Sequence, residues 1–233
     1  MSLIPRFIKS LFKSTEFSLD LEQYKTYRSV GMDLNARLIK QLPRAAIEEC
    51  GKKLGILKKG ALILDSEDEL AVLMDYALFH YRRNGINMVS RYLTLSPPDE
   101  LSVEMTLLQA MLKARYSLFS VKTTVPNKGL VLIDLMRVHD NEIFLIDLSM
   151  SRSARPSMML AGHVLPMPNF YMTSGTFLPM PKSILEDTLP AIAEKYYKEN
   201  EELSPGQEAA FAAQVIRAAL QAKAMDKIRY QDV

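Results

Sequence analysis

The apolar pattern of this chain changes period at Leu118, and no other feature limits the fold as much. Before that point apolar side chains recur at helical spacing. From 118 to 181 they gather into short β-rich runs. Leu130-Val131-Leu132-Ile133-Asp134-Leu135 is echoed by Ile143-Phe144-Leu145-Ile146-Asp147-Leu148, with a polar stretch between them, which is a hairpin signal. After 181 the helical spacing returns. The expected class is α+β: a mainly helical region over 1–117, a small antiparallel β unit, barrel-like or sandwich-like, over 118–181, and a helical arm over 182–233. All three can share one compact domain, since 233 residues suffice for a large core.

A net charge of +2 gives no whole-surface attraction for nucleic acid. The single Cys50 excludes an internal disulfide and a cysteine zinc cage, and fits a reducing, cytoplasmic setting. Ile4, Phe7, Ile8, Leu11 and Phe12 form one stripe with Arg6, Lys9 and Lys13 around it, an amphipathic basic helix. Such a stripe docks on its own protein, on a second copy, or, through residues 1–15, on a membrane surface.

Helices are expected over 19–42, with Gly31 as a weak point, and from Pro43 to Leu54 with Gly55 as the stop. Ser66-Glu67-Asp68-Glu69 is a capping box that opens a helix running to Arg83 and ending at Asn84-Gly85. Short helices follow over 86–95 and from Glu100 to Tyr116, the latter on Leu101, Met105, Leu108 and Leu112. Strands are expected near 118–125, 130–137, 143–149, 158–165 and 169–177. Two Leu-Pro-Met-Pro segments should mark strand ends, because proline cannot donate to a ladder. In the arm, Ser183 and Ser204 both begin capping patterns, and Phe211, Val215, Ala219 and Ala222 share one helical stripe.

Phosphate-cradling glycine loops and the serine-nucleophile elbow are missing from the sequence, so no nucleotide cofactor is called for. Cys50 lies inside a helix with no histidine near it in sequence, which suits a core position. The best constellation is acidic. If the hairpin turns around Asp140-Asn141, Asp134 lies directly opposite Asp147, a pairing that needs a shared proton, a metal or a cation between them. His139 and His163 lie in the same unit and could complete a metal site. The competing reading is a different register, with each aspartate bonded to backbone at a strand end. Apolar neighbours on both faces favour that reading and argue against a water-filled catalytic cleft.

Arg152, Ser153 and Arg155, together with Thr173 and Ser174, could form an anion-binding lip; a solvated loop is the plainer account. Arg82, Arg83 and Arg91 with Tyr81 and Tyr92 make a basic-aromatic group that could stack on single-stranded nucleic acid. His80, near a helix end, complements the dipole. Seven methionines fall between 136 and 180, suiting an adaptable core or binding surface.

Ser117-Leu118-Phe119, Leu132-Ile133-Asp134-Leu135, Asp147-Leu148-Ser149 and Met172-Thr173-Ser174-Gly175, in this order, resemble a group of uncharacterised bacterial proteins. The same strands, within residues 61–181, are similar to a β module of some proteins that carry a SEC-C motif. The cysteine cluster of that motif is missing here, so the resemblance implies no metal and no activity. The expected role is a non-enzymatic interaction or regulatory module, binding a protein partner or itself through amphipathic helices. A nucleic-acid-binding small barrel comes second, and a metal-dependent hydrolase using Asp134 and Asp147 third.

Overall fold

The computed structural model describes residues 14–137, 139, 141–197 and 202–224, so the amphipathic stripe over 4–12 lies outside the described residues. Helix α1 (Ser14–Lys40) runs unbroken through Gly31, which lies over Leu107 with room for a methyl group. Pro43 caps α2 (Arg44–Leu54) in an extended conformation, and Gly55 closes it at φ 78°, the left-handed stop that glycine allows. Two short strands, β1 (Leu57–Lys58) and β2 (Ala61–Leu62), pair before α3 (Glu67–His80). Ser66 Oγ accepts from the Glu69 amide at 3.4 Å, as the capping box requires. The Glu69 carboxylate reaches one residue further back than expected, accepting from the Asp65 amide at 2.8 Å.

α3 stops at His80 rather than at Arg83. Asn84 and Gly85 both take positive φ (54° and 78°) and turn β3 (Arg82–Arg83) back onto β4 (Ile86–Asn87), so the two arginines are strand rather than helix. Asn87 then caps α4 (Met88–Leu95). α5 (Val103–Leu112) is shorter than expected at both ends. Ser102 is its cap, Leu101 stands 97% exposed outside the helix, and Tyr116 already belongs to the sheet.

Five strands close into a barrel in the order β5-β6-β7-β9-β8: β5 (Arg115–Val125), β6 (Gly129–Asp134), β7 (Glu142–Ile146), β8 (Met159–Pro166) and β9 (Tyr171–Pro179). All neighbours are antiparallel except β7 and β9, which run parallel. Phe119, Val121, Leu130, Leu132, Ile143, Leu145, Leu160 and Val164 fill the interior. Pro166 and Pro179 end their strands, where a missing amide costs no ladder bond.

The β6–β7 register is the competing one, not the two-residue turn around Asp140-Asn141. Gly129 faces Ile146 and Ile133 faces Glu142, and the Asp134 amide donates to the Asn141 carbonyl at 2.7 Å. The loop is therefore longer than two residues, because β6 ends at Asp134, whose own carboxylate accepts from the Met136 amide at 3.0 Å. Asp147 falls just past the other end of the hairpin.

The outer wall of the barrel is largely covered. Tyr116, Leu118, Ala161 and Leu178 join Cys50, Leu73, Tyr76, Phe211 and Val215 in one core beneath α2, α3 and the arm. Ile146, Leu165 and Met172 join Leu34, Leu38, Leu78, Leu108 and Met111 in a second core beneath α1, α3, α4 and α5. The methionines between 136 and 180 are divided among these cores and the barrel interior. In the arm, Lys182–Ile184 makes a single 3-10 turn instead of starting a helix. The one-turn helix α6 (Met150–Ser153) lies between β7 and β8, α7 (Thr188–Tyr196) holds Pro190 in its first turn, and α8 (Pro205–Gln221) starts with the expected Ser204–Gln207 capping box.

Ser66→Ala should lower the unfolding free energy by about 1 kcal/mol in urea denaturation. Two glycines should respond in opposite directions. A Cβ at Gly162 would sit 2.2 Å from the Phe177 ring, so Gly162→Ala should cost about 1–3 kcal/mol. Gly31→Ala, with its nearest neighbours at 3.9 Å, should gain about 0.5–1 kcal/mol from helix propensity.

Candidate functional site

Where β5 begins, β6 ends and the C-terminal arm crosses, a cleft of about 500 Å³ opens between barrel and arm. Its lining includes Arg115, Ser117 and Asp134 from the strands, and Tyr196, Tyr197 and Leu203 from the arm. Asp134 is fully buried and is the hub of the polar contacts here. One carboxylate oxygen accepts from Ser117 Oγ and from the Met136 amide, and the other accepts from Arg115 Nε at 3.0 Å. Glu208, at the start of α8, accepts from the Tyr116 amide at 2.7 Å and so ties arm to barrel. Arg115 also stands over the Tyr171 ring, 5.8 Å from its centroid, and its Nη2 is buried without a partner. Lys113, Met136, Arg137, His139 and Glu202 complete much of the rim, with Arg137 paired to Glu202 at 3.3 Å.

The residues singled out in sequence do not assemble as one site. Asp134 and Asp147 stand at opposite ends of the β6–β7 hairpin, and His139 lies exposed near the Asp134 end. Asp147 accepts from the Met150 amide at 2.8 Å and so starts α6 (Met150–Ser153). Burial raises its carboxyl above the usual range, opposed by the backbone hydrogen bond to Met150 and the charge of Arg28. Among the described residues, no group of three or more His, Cys, Asp or Glu side chains converges in a way that could hold a metal.

The hydroxyl-rich run folds onto itself. Arg155 Nη1 donates to the carbonyls of Arg152, Ser153 and Ala154, Ser153 Oγ donates to Ser149, and Arg152 Nε donates to Asn127. Thr173 and Ser174 are buried on β9 beside α1, where Asn35 Nδ2 donates to the Ser174 carbonyl at 3.1 Å. Burial pushes the Cys50 thiol up to about 12, which leaves it protonated and inert in the core.

A second polar chain runs through the interior and joins residues far apart in sequence. His163, fully buried on β8, donates from Nδ1 to Asp75 Oδ2 at 2.7 Å when Asp75 is ionised, and its Nε2 lies 3.0 Å from His80 Nε2. Phe79 stacks on the His163 ring at 4.2 Å, and Tyr116 meets it edge-on at 5.1 Å. The Tyr116 hydroxyl is buried without a partner, and burial holds it well above the usual phenol range. The ladder makes room for this: between Gly162 and Val164 a single residue of β8, His163, faces Ser174, Gly175 and Thr176 of β9.

A family of unknown function, DUF7986, matches residues 18–215, spanning the helical region, the barrel and most of the arm. The chain belongs to DUF7986. No curated protein and no solved structure matches it. For this member of DUF7986 the site residues therefore come from geometry alone.

Sequence reading missed Asp75, Arg115, Tyr116 and Glu208. Only Asp75 left a trace: an acid among the buried positions Val72, Leu73, Tyr76 and Phe79 of α3 needs a partner in the core. His80 was assigned to the helix dipole, whereas its Nε2 faces a second imidazole.

Asp134→Asn should destabilise the protein by about 3–5 kcal/mol in chemical denaturation, because it strands the partly buried Arg115 charge. Arg137→Gln, which removes an exposed ion pair, should cost less than about 1 kcal/mol.

Proposed function

We propose that this protein is a non-enzymatic binding module of the cytoplasm, whose cleft receives a short segment of a protein partner. The observation that carries the reading is the lining of that cleft. Tyr196, Tyr197, Met136 and Leu203 supply the aromatic and adaptable apolar surface that interfaces concentrate. Lys113, Arg137 and Glu202 put both signs of charge at the rim, as a mixed peptide requires. The carboxylates beneath are already engaged, Asp134 by three donors and Glu208 by a backbone amide, which favours a rigid floor over a reacting group. The buried, protonated thiol of Cys50 is in keeping with a reducing compartment.

The winding of the barrel favours a second reading. A closed five-strand order with the third strand parallel to the fifth is the Greek-key path of barrels that bind oligonucleotides and oligosaccharides. Such barrels use the face of their second and third strands. Here that face carries Val131 and Phe144 outside the barrel core, and Lys122 beside it is held by Glu142. A nucleic-acid groove calls for a basic track with stacking aromatics, so this reading stays second. A hydrolase using Asp134 and Asp147 has the least support, since the hairpin holds them apart. A kinship of the barrel with the β module of SEC-C proteins would bring no metal chemistry, because Cys50 is the single cysteine.

A photo-cross-linking residue at position 197 of the full chain, activated in host cells, tests the choice. A discrete protein adduct identified by mass spectrometry, and absent when the cross-linker replaces exposed Leu101, is expected. Identical background from both positions would refute the cleft as a docking site. Saturable binding of a fluorescent single-stranded oligonucleotide at physiological salt would instead put the nucleic-acid reading first.

A further inference from the structure

Asp75, His163 and His80 do something that the cleft does not. They join α3 to β8 through a chain of three ionisable groups in the interior, and α3 contributes to both helical cores that cover the barrel. Asp75 is the most exposed of the three, with 11% of its side chain open to solvent, so the chain has one end near water. Among the described residues, no group of three metal-ligating side chains forms here, and each His163 nitrogen has a protein neighbour, Asp75 on one side and His80 on the other.

Two imidazole nitrogens 3.0 Å apart can hold one proton between them. With Asp75 ionised, His163 donates from Nδ1 and its Nε2 must accept, so His80 supplies the shared proton from its own Nε2. Protonating both rings would set two N–H donors against each other in a space closed to water. We propose that this chain is an acid-release latch, which holds α3 to the barrel while the facing nitrogens share one proton and releases it when each of the two nitrogens carries its own.

The surroundings act in the same direction. His80 is closed in by Tyr76 of its own helix at 4.9 Å and Tyr116 of β5 at 6.3 Å, neither of which supplies a negative charge when neutral. Burial lowers the His80 imidazole well below its ordinary range, helped by His163, by Arg82 of β3 and by Lys53 of α2. Asp75, the one carboxylate in the chain, is bonded to His163 rather than to His80. The folded state thus refuses a proton that the unfolded chain accepts. Because the folded value is depressed, the stability this provides is complete above the unfolded value of about 6.5 and is lost as pH falls below it.

Urea unfolding of the full chain between pH 7.5 and 5, compared with His80→Gln, tests the latch. Glutamine can still donate to His163 but does not titrate. Below about pH 6.5 the folded-to-unfolded ratio of the unsubstituted protein should fall about tenfold more per pH unit than that of the variant, the weight of one excluded proton. Parallel profiles would overturn the proposal. If His80→Gln does not fold, nitrogen NMR of the imidazoles in the unsubstituted protein decides. One protonated and one bare nitrogen across the His80–His163 contact, kept until native signals vanish together in acid, supports the latch. Both nitrogens protonated in a still-folded protein refutes it.

Discussion

β5 pairs with β8 from Arg115 to Ser120 and with β6 from Phe119 to Val125, and this double engagement of one strand closes the barrel. Closure satisfies backbone groups that an open sheet would leave at its edges. It also decides which residues need cover. The first half of β5 turns Tyr116 and Leu118 outward, and β8 and β9 turn out Ala161, Leu165, Met172 and Leu178. An apolar outer wall of that extent has to be covered, and the helices before and after the barrel supply the cover from two sides.

The same strand places both polar features of the molecule. Arg115 and Ser117 engage Asp134 at the floor of the cleft, while Tyr116, next in sequence but on the other face, lies against His163. Alternation along a strand thus separates the Asp134 contacts from the histidine contacts within three residues. Asp134 has its donors in place and needs no ligand to be stable. The histidine contact is satisfied only while its two facing nitrogens share one proton. The first arrangement makes a rigid floor; the second is the one that the proposed latch uses.

Much of the architecture was legible because it rests on local chemistry. Ser66, Ser204 and the two Leu-Pro-Met-Pro segments act within a few residues of themselves, and each ends or starts an element where its chemistry requires, whereas Asn84-Gly85 turns a hairpin instead of ending a helix. The candidate site was legible only in part. Asp134 and Asp147 each bond to a backbone amide at a strand end, as the competing reading has it, while His163 meets Asp75 and His80, which no local pattern ties to it. The hairpin register that set Asp134 against Asp147 assumed a two-residue turn, and the Asp134 carboxylate itself ends the strand earlier.

The sequence by itself determined the change of period at Leu118, the helix caps, the strand ends and the lack of any cysteine cage, since these follow from side-chain pattern and residue type. Only the tertiary structure decided which charges meet. Asp75 and His163 are 88 residues apart and Glu208 and Tyr116 are 92 apart. No spacing rule reaches that far, because such contacts arise from how closed strands and covering helices are stacked. A one-residue change of register turns every side chain to the other face of its strand, and the long-range pairs exist only once that register is set by packing.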